Sequence, residues 1–216
     1  MGKLVSTMFV TLDGVHQAPG GPEEDPSGGF THGGWSFTYG DEDFGRFVAE
    51  VFERAGAFLL GRRTYDIFAS YWPKITDPGN PIASRLNALP KYVPSATLTD
   101  PAWSGTTVLT GDLAKEVTAL KERTDGELQA HGSGALVRSL LDLGLVDTLH
   151  LVTFPVVLGS GRRFFQEGAL PTKFRHTGGL ITRAGVSVQS YDVAGRPEYG
   201  SYIAEQNQRP PRALPH

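Results

Sequence analysis

Cysteine is absent from the 216 residues. Disulfides, thiolate nucleophiles and cysteine-ligated metals are therefore excluded. An excess of positive charge is absent too. The 20 Lys and Arg stand against 23 Asp and Glu, a formal charge of -3, which removes the electrostatic case for nucleic acid as a partner. No run approaches the roughly 20 apolar residues that a bilayer span requires, so no membrane partner is expected. The opening stretch MGKLVSTMFVTLDG is broken by Ser6, Thr7 and Thr11 and lacks a small-residue cleavage site. It does not read as a secretory signal, and the expected compartment is the cytoplasm. The six histidines show no H-x-H, H-x-x-x-H or H-E-x-x-H spacing, so no metal is expected. The P-loop and the G-x-S-x-G nucleophile elbow are missing as well.

The composition that remains is that of an ordinary globular protein: 39% hydrophobic and 20% charged. The length suits one domain. Residues 3–12, KLVSTMFVTL, are apolar on both faces and predict a central buried strand. Residues 16–34 are rich in Gly and Pro without any period and predict a long loop, functional or mobile. Asp41 precedes EDFGRFVAEVFERAG as an N-cap would. Further along, short apolar runs at 57–61, 91–95, 106–109, 127–132 and 147–159 alternate with helical segments near 62–72, 81–89, 112–124 and 134–143. Two alternating strands near 173–183 and 185–193 close the pattern. This order predicts a single α/β domain over 1–195. A central, mostly parallel mixed sheet is flanked by helices, with an antiparallel C-terminal edge. Residues 196–216, ending QRPPRALPH, predict a polar extension with a disordered end.

Two strand-to-helix junctions carry the functional signal, LLGRRTYD (59–66) and AHGSGAL (130–136). At each, the chain leaves a buried strand through glycine and enters a helix. Unsatisfied N–H groups and the positive end of the helix dipole gather there, which favours an anion. Glycine removes the Cβ, so a phosphate can approach the backbone. Arg62 and Arg63 add charge. The alternative reading of each turn is plain backbone geometry with Ser133 as an N-cap. GSGALV lacks the third glycine of a dinucleotide fingerprint, so neither turn decides alone.

Five segments occur in a telling order: VTLDGV (10–15), LLGRRTYD (59–66), KYVPSATL (91–98), HGSGALVRSLLDLGLVD (131–147) and PVVLGSGRRFF (155–165). As a set this resembles the dihydrofolate reductase superfamily. It is nearer to the branch holding the reductase domain of the riboflavin-biosynthesis deaminase/reductase, over roughly residues 3–193. The resemblance implies a dihydrofolate-reductase-like fold, NADPH as cofactor and a homodimer. It implies that Gly61, Arg62, Arg63 and Thr64 meet the pyrophosphate and adenosine phosphate, and that Ser95 meets the 2′-phosphate. Gly132, Ser133, Gly134 and Leu136 match the glycine-rich turn beneath the pyrophosphate, and Leu158 and Gly159 a loop bordering the nicotinamide. Asp13 falls beside the expected nicotinamide, and Asp41 in the region where dihydrofolate reductases carry the carboxylate facing the pterin. Both are candidate catalytic groups, although Asp41 reads equally as an N-cap. Trp35 and Phe37 are candidates to stack on the substrate or to pin the loop. The lysine of the riboflavin-pathway SLDGK segment is replaced by Val15, which argues against a phosphorylated pyrimidine.

The resulting expectation is an NADPH-dependent oxidoreductase. It would transfer hydride to a small flat heterocycle, pterin- or pyrimidine-like, or a related metabolite. The alternative is a non-catalytic nucleotide- or ligand-binding module that keeps the fold. A hydrolase built on Ser133 and His131 is disfavoured, since adjacent turn positions give poor nucleophile–base geometry. His131 reads as a satisfied strand-end residue, and the pair Arg162–Arg163 as solvated surface.

Overall fold

The computed structural model describes residues 2–202; the last fourteen positions of the expected extension, 203–216, lie outside the described residues. Strand β1 (Leu4–Thr11) is buried along its length, as its two-faced apolar pattern requires. It is followed by α1 (Glu42–Glu53), β2 (Ala55–Leu59), α2 (Arg62–Tyr71), α3 (Pro81–Ala88), β3 (Lys91–Pro94) and β4 (Thr106–Leu109). Then come α4 (Leu113–Arg123), β5 (Glu127–His131), α5 (Gly134–Asp142), β6 (Thr148–Phe154), β7 (Phe174–Ile181) and β8 (Ser187–Val193). The strands form one sheet in the order β4-β3-β2-β5-β1-β6-β8-β7. The pairings from β4 across to β6 are parallel, while β8 and β7 complete the sheet in antiparallel fashion. The α/β class and the antiparallel C-terminal edge expected from the sequence are those observed.

Local chemistry sets the element ends. The Asp41 carboxylate accepts from Phe44 N at 2.8 Å, Asn80 accepts from Ala83 N at 3.0 Å, and Asp112 accepts from Lys115 N at 2.9 Å. Each satisfies an N–H that the first helical turn leaves without a partner. The strand expected over 147–159 ends at Phe154, because Pro155 has no N–H to continue the ladder.

Alternation along the central strands fills both faces. Leu4, Met8 and Val10 of β1 and Leu59 of β2 pack with Val117, Leu120, Val137 and Leu140, so α4 and α5 cover one face. Phe58 and Leu60 point the other way and meet Phe52, Tyr65 and Leu86, so α1, α2 and α3 cover the second face. The long loop is not open. Val15, Ala18, Phe30 and Trp35 are buried against Phe154 and Val188 at the β6–β8 side. No helix among the described residues is long and apolar enough to cross a membrane.

Asp147 joins the two layers. Its carboxylate accepts from Leu4 N at 2.7 Å and pairs with the buried Lys121 ammonium at 2.6 Å. Asp147→Ala is expected to lower stability by about 2 kcal/mol, the scale of a charge-assisted hydrogen bond. The check is a shift of the urea midpoint at unchanged slope.

Candidate active site

Strands β2 and β5 are neighbours in the sheet, yet the chain leaves them for opposite faces. Helix α2 joins α1 and α3 on one side, and α5 joins α4 on the other. A crevice opens at the carboxyl ends of strands where connections diverge in this way. The two glycine turns meet across it. Gly61 N donates to Ser133 Oγ at 2.9 Å, and the Ser133 hydroxyl donates to His131 O at 3.0 Å. Ser133 holds the N-cap position of α5 without a side-chain cap bond, because its oxygen is spent on joining the turns. Gly132 has φ +60°, a left-handed conformation that favours glycine. A Cβ on Gly134 would lie 2.5 Å from the His16 ring, so glycine is what lets that imidazole close on the helix start.

The cavity above these turns has a volume of about 670 Å³ and holds Gly61, Arg62, Arg63, Thr64, Gly132, Ser133, Gly134 and Leu136 in its lining. The remaining sequence candidates lie outside that lining. The Asp13 carboxylate accepts from the Thr11 hydroxyl at 2.6 Å and from Leu158 N and Gly159 N at 3.3 and 2.9 Å. It is a clamp on the loop after β6, and Leu158 and Gly159 are what it clamps. Asp41 caps α1 and accepts from Ala184 N at 2.7 Å. Trp35 donates from its indole to Gln17 O at 2.7 Å and packs edge-on against Phe154, pinning the loop. Phe37 is 83% exposed. Ser95 Oγ accepts from Thr97 N and Leu98 N, shaping a turn whose Thr97 hydroxyl accepts from Arg62 at 3.2 Å.

Other groups line the cavity that the sequence reading placed elsewhere or passed over: His16, Glu24, Asp25, Arg138 and Arg162. Arg162 was expected at a solvated surface. It instead pairs with the nearly buried Asp25, which also holds Arg63 at 3.1 Å. Ser27 Oγ accepts from Arg162 at 2.7 Å and from Arg63 at 3.1 Å. Gln17 donates to Asp25 O and Ser27 O and accepts from Arg162 N, so the long loop is tied to the cavity rim. The acidic residues sit in PGGPEEDPSG, where no period exists to place them, and only the structure brings them to the arginines. A second set is apolar: Phe44, Val48 and Phe52 from α1, with Ile67, Phe68 and Trp72.

Burial pushes the Glu24 carboxyl above its ordinary range, against the opposing effect of hydrogen bonds from Gly20 N and Gly21 N. Burial would also raise Asp25, but the Ser27 hydroxyl and the guanidinium groups of Arg162 and Arg63 outweigh it and hold the carboxyl low. The Thr11 hydroxyl, with Gly159 and Leu158 N–H groups, lowers Asp13. Burial, with Arg138 and Arg162 nearby, depresses His16 to about 4. Burial depresses His131 to about 3. The His131 ring stacks on Phe52 with centroids 4.5 Å apart, and its Nε2 lies 3.0 Å from Gln129 Oε1.

The mostly parallel sheet with a glycine-walled crevice at its carboxyl edge defines an α/β protein whose cavity lies where such sheets bind ligands. The profile of the RibD C-terminal domain matches residues 2–186. The protein belongs to that family. It is 27% identical over 165 residues to the uncharacterized protein YyaP of Bacillus subtilis (strain 168), covering 76% of this chain and 80% of the relative. Its fold is similar to that of a riboflavin biosynthesis protein from Shewanella sp. PV-4, with TM-score 0.63 and 18% identity over 89% of this chain and 99% of the other. It is likewise similar to dihydrofolate reductase from Enterococcus faecalis, with TM-score 0.55 and 12% identity over 89% and 96% of the two chains. The fold is thus dihydrofolate-reductase-like.

The two histidines set a pH dependence. Each binds its proton less readily in the folded chain than in the unfolded one, whose imidazoles titrate near 6.5. The stability these two groups contribute is therefore fully present above about pH 6.5 and is lost as pH falls through about 4, since the unfolded chain takes up more protons in that window. Urea titrations between about pH 7 and about pH 4.5 should show a falling midpoint, and His16→Gln should flatten the fall.

Proposed function

We propose that this protein is an NADPH-dependent reductase that reduces a C=N or C=O bond of a small flat heterocycle, pterin- or pyrimidine-like, or a related metabolite. The observation that carries this reading is the meeting of two glycine turns in one cavity, welded through Ser133. The donor set fits a dinucleotide. Four arginines line the cavity against two carboxylates, and the first-turn N–H groups of α2 and α5 have no intrahelical acceptors. The solved dihydrofolate reductase from Enterococcus faecalis, a structural neighbour, is complexed with NADP(H).

Bound in this crevice, NADPH would supply the hydride. The chain's own residues would do the rest. Gly61, Thr64, Gly132, Ser133 and Gly134 would hold the diphosphate, and Arg62 and Arg63 would favour the extra phosphate of NADPH over NADH. Asp25 holds Arg63 and Arg162 at the rim. Reduction needs one proton on the substrate nitrogen or oxygen as hydride reaches carbon. Glu24 lines the cavity, and its raised carboxyl retains a proton nearer neutrality than an exposed one. Glu24 would release that proton to the substrate and regain one from water.

Titration with NADPH should give saturable nicotinamide fluorescence. Gly134→Ala, whose methyl would collide with His16, should weaken that binding about tenfold; no binding by the unmodified protein would remove the reductase reading. Glu24→Gln should lower kcat about a hundredfold while leaving NADPH affinity unchanged. A second reading, a binding module without turnover, is favoured by one finding: Asp13 and Asp41 are both committed to structural hydrogen bonds. It predicts NADPH binding with no oxidation of the cofactor across pterins, pyrimidines and ring ketones.

A further inference from the structure

The cavity is lined by two unlike sets of side chains. Its four arginines come from the start of α2, from α5 and from the segment after β6. The other set lining this chamber is apolar: Phe44, Val48, Phe52, Phe68, Trp72 and Ile82. Among the described residues, α1, α3 and the later turns of α2 bring no cation to this lining. A phosphate or carboxylate placed against these side chains would lose its water and gain no counter-charge from them.

Two lining residues, Thr7 and His131, belong to one row across the sheet. Thr7 of β1 stands in register with His131 of β5 and with His150 of β6. Both imidazoles are engaged. His131 pairs with Gln129 and stacks on Phe52. His150 Nδ1 lies 2.8 Å from Ser190 Oγ, and Phe47 packs edge-on against its ring. The Thr7 hydroxyl between them has no hydrogen-bond partner, although the residue is only 5% exposed and lines the cavity. Buried hydroxyls are nearly always bonded, and an orphan one costs stability. Valine would fill the same space at no such cost. A neighbouring orphan, Ser6, lies on the opposite face of β1 and outside the cavity lining, which makes it an internal control.

We infer that this chamber binds an uncharged, phosphate-free ring compound of aromatic size, held by one hydrogen bond from the Thr7 hydroxyl to a ring carbonyl oxygen. The inference rests on the reductase reading for the substrate's role, but not for its binding. The ring lies against the apolar lining, where apolar burial drives association. Thr7 then fixes which edge of the ring faces the sheet, and so which face is presented to the crevice.

Calorimetric titration with 1-tetralone, tetralin and uridine monophosphate tests it, each with and without saturating NADPH. Tetralone is expected to bind, and Thr7→Val to weaken it about tenfold, the worth of one hydrogen bond. Thr7→Ser and Ser6→Ala should leave tetralone binding unchanged. Tetralin, which lacks the oxygen, should bind about tenfold more weakly and equally to wild type and Thr7→Val. Without ligand, Thr7→Val should melt no lower than wild type, which a structural role for the hydroxyl would not allow. The proposal is overturned if tetralone gives no heat, if Thr7→Val binds it as wild type does, or if uridine monophosphate binds more tightly than tetralone. Failure of NADPH to bind would instead sink the reductase reading and leave the Thr7 result standing.

Discussion

The site depends on a single hydroxyl. The Ser133 hydroxyl accepts from the Gly61 amide and donates to the His131 carbonyl oxygen, so two turns from adjacent strands become one surface. Each glycine turn alone would be an unremarkable strand-to-helix corner. Joined, they line up the amide-rich starts of α2 and α5 toward the same space. That arrangement is possible because the two helices depart to opposite faces, which leaves the space between them free of main chain.

Charge in the crevice is arranged by the long loop. Asp25 brings Arg63 and Arg162 together, and Ser27 completes the cluster. The loop thereby holds two of the cavity's cations at its rim. The carboxylates at positions 13 and 41 work elsewhere, one fastening the loop that follows β6 and the other starting α1.

Much of the fold was legible because its central strands are apolar on both faces and its helices carry clear starts. The turns at 61 and 132–134 were legible as glycine-bearing exits from buried strands, but plain backbone geometry explains each one equally until the structure joins them. Residues of the loop were not legible. Glu24 and Asp25 sit in a segment without period, and their importance comes from arginines far along the chain, at 63 and 162. Trp35 and Phe37 show the same limit. Both are large aromatics in a loop, yet one is buried in the core and the other lies in solvent. Thr7 was hidden by its neighbours, since one threonine in an apolar strand reads as ordinary β-propensity. Only the missing partner makes it visible.

The placement of β5 between β1 and β2 has a consequence for how the molecule comes into being. The halves of the crevice are contributed by segments seventy-two positions apart. While the chain is being synthesised, the first half emerges with its neighbouring sheet position still vacant, and its exposed strand edges have nothing to pair with. The two glycine turns therefore join in one step, when the inserted strand docks. Such long-range pairing slows folding relative to a protein whose site is assembled from neighbours in sequence.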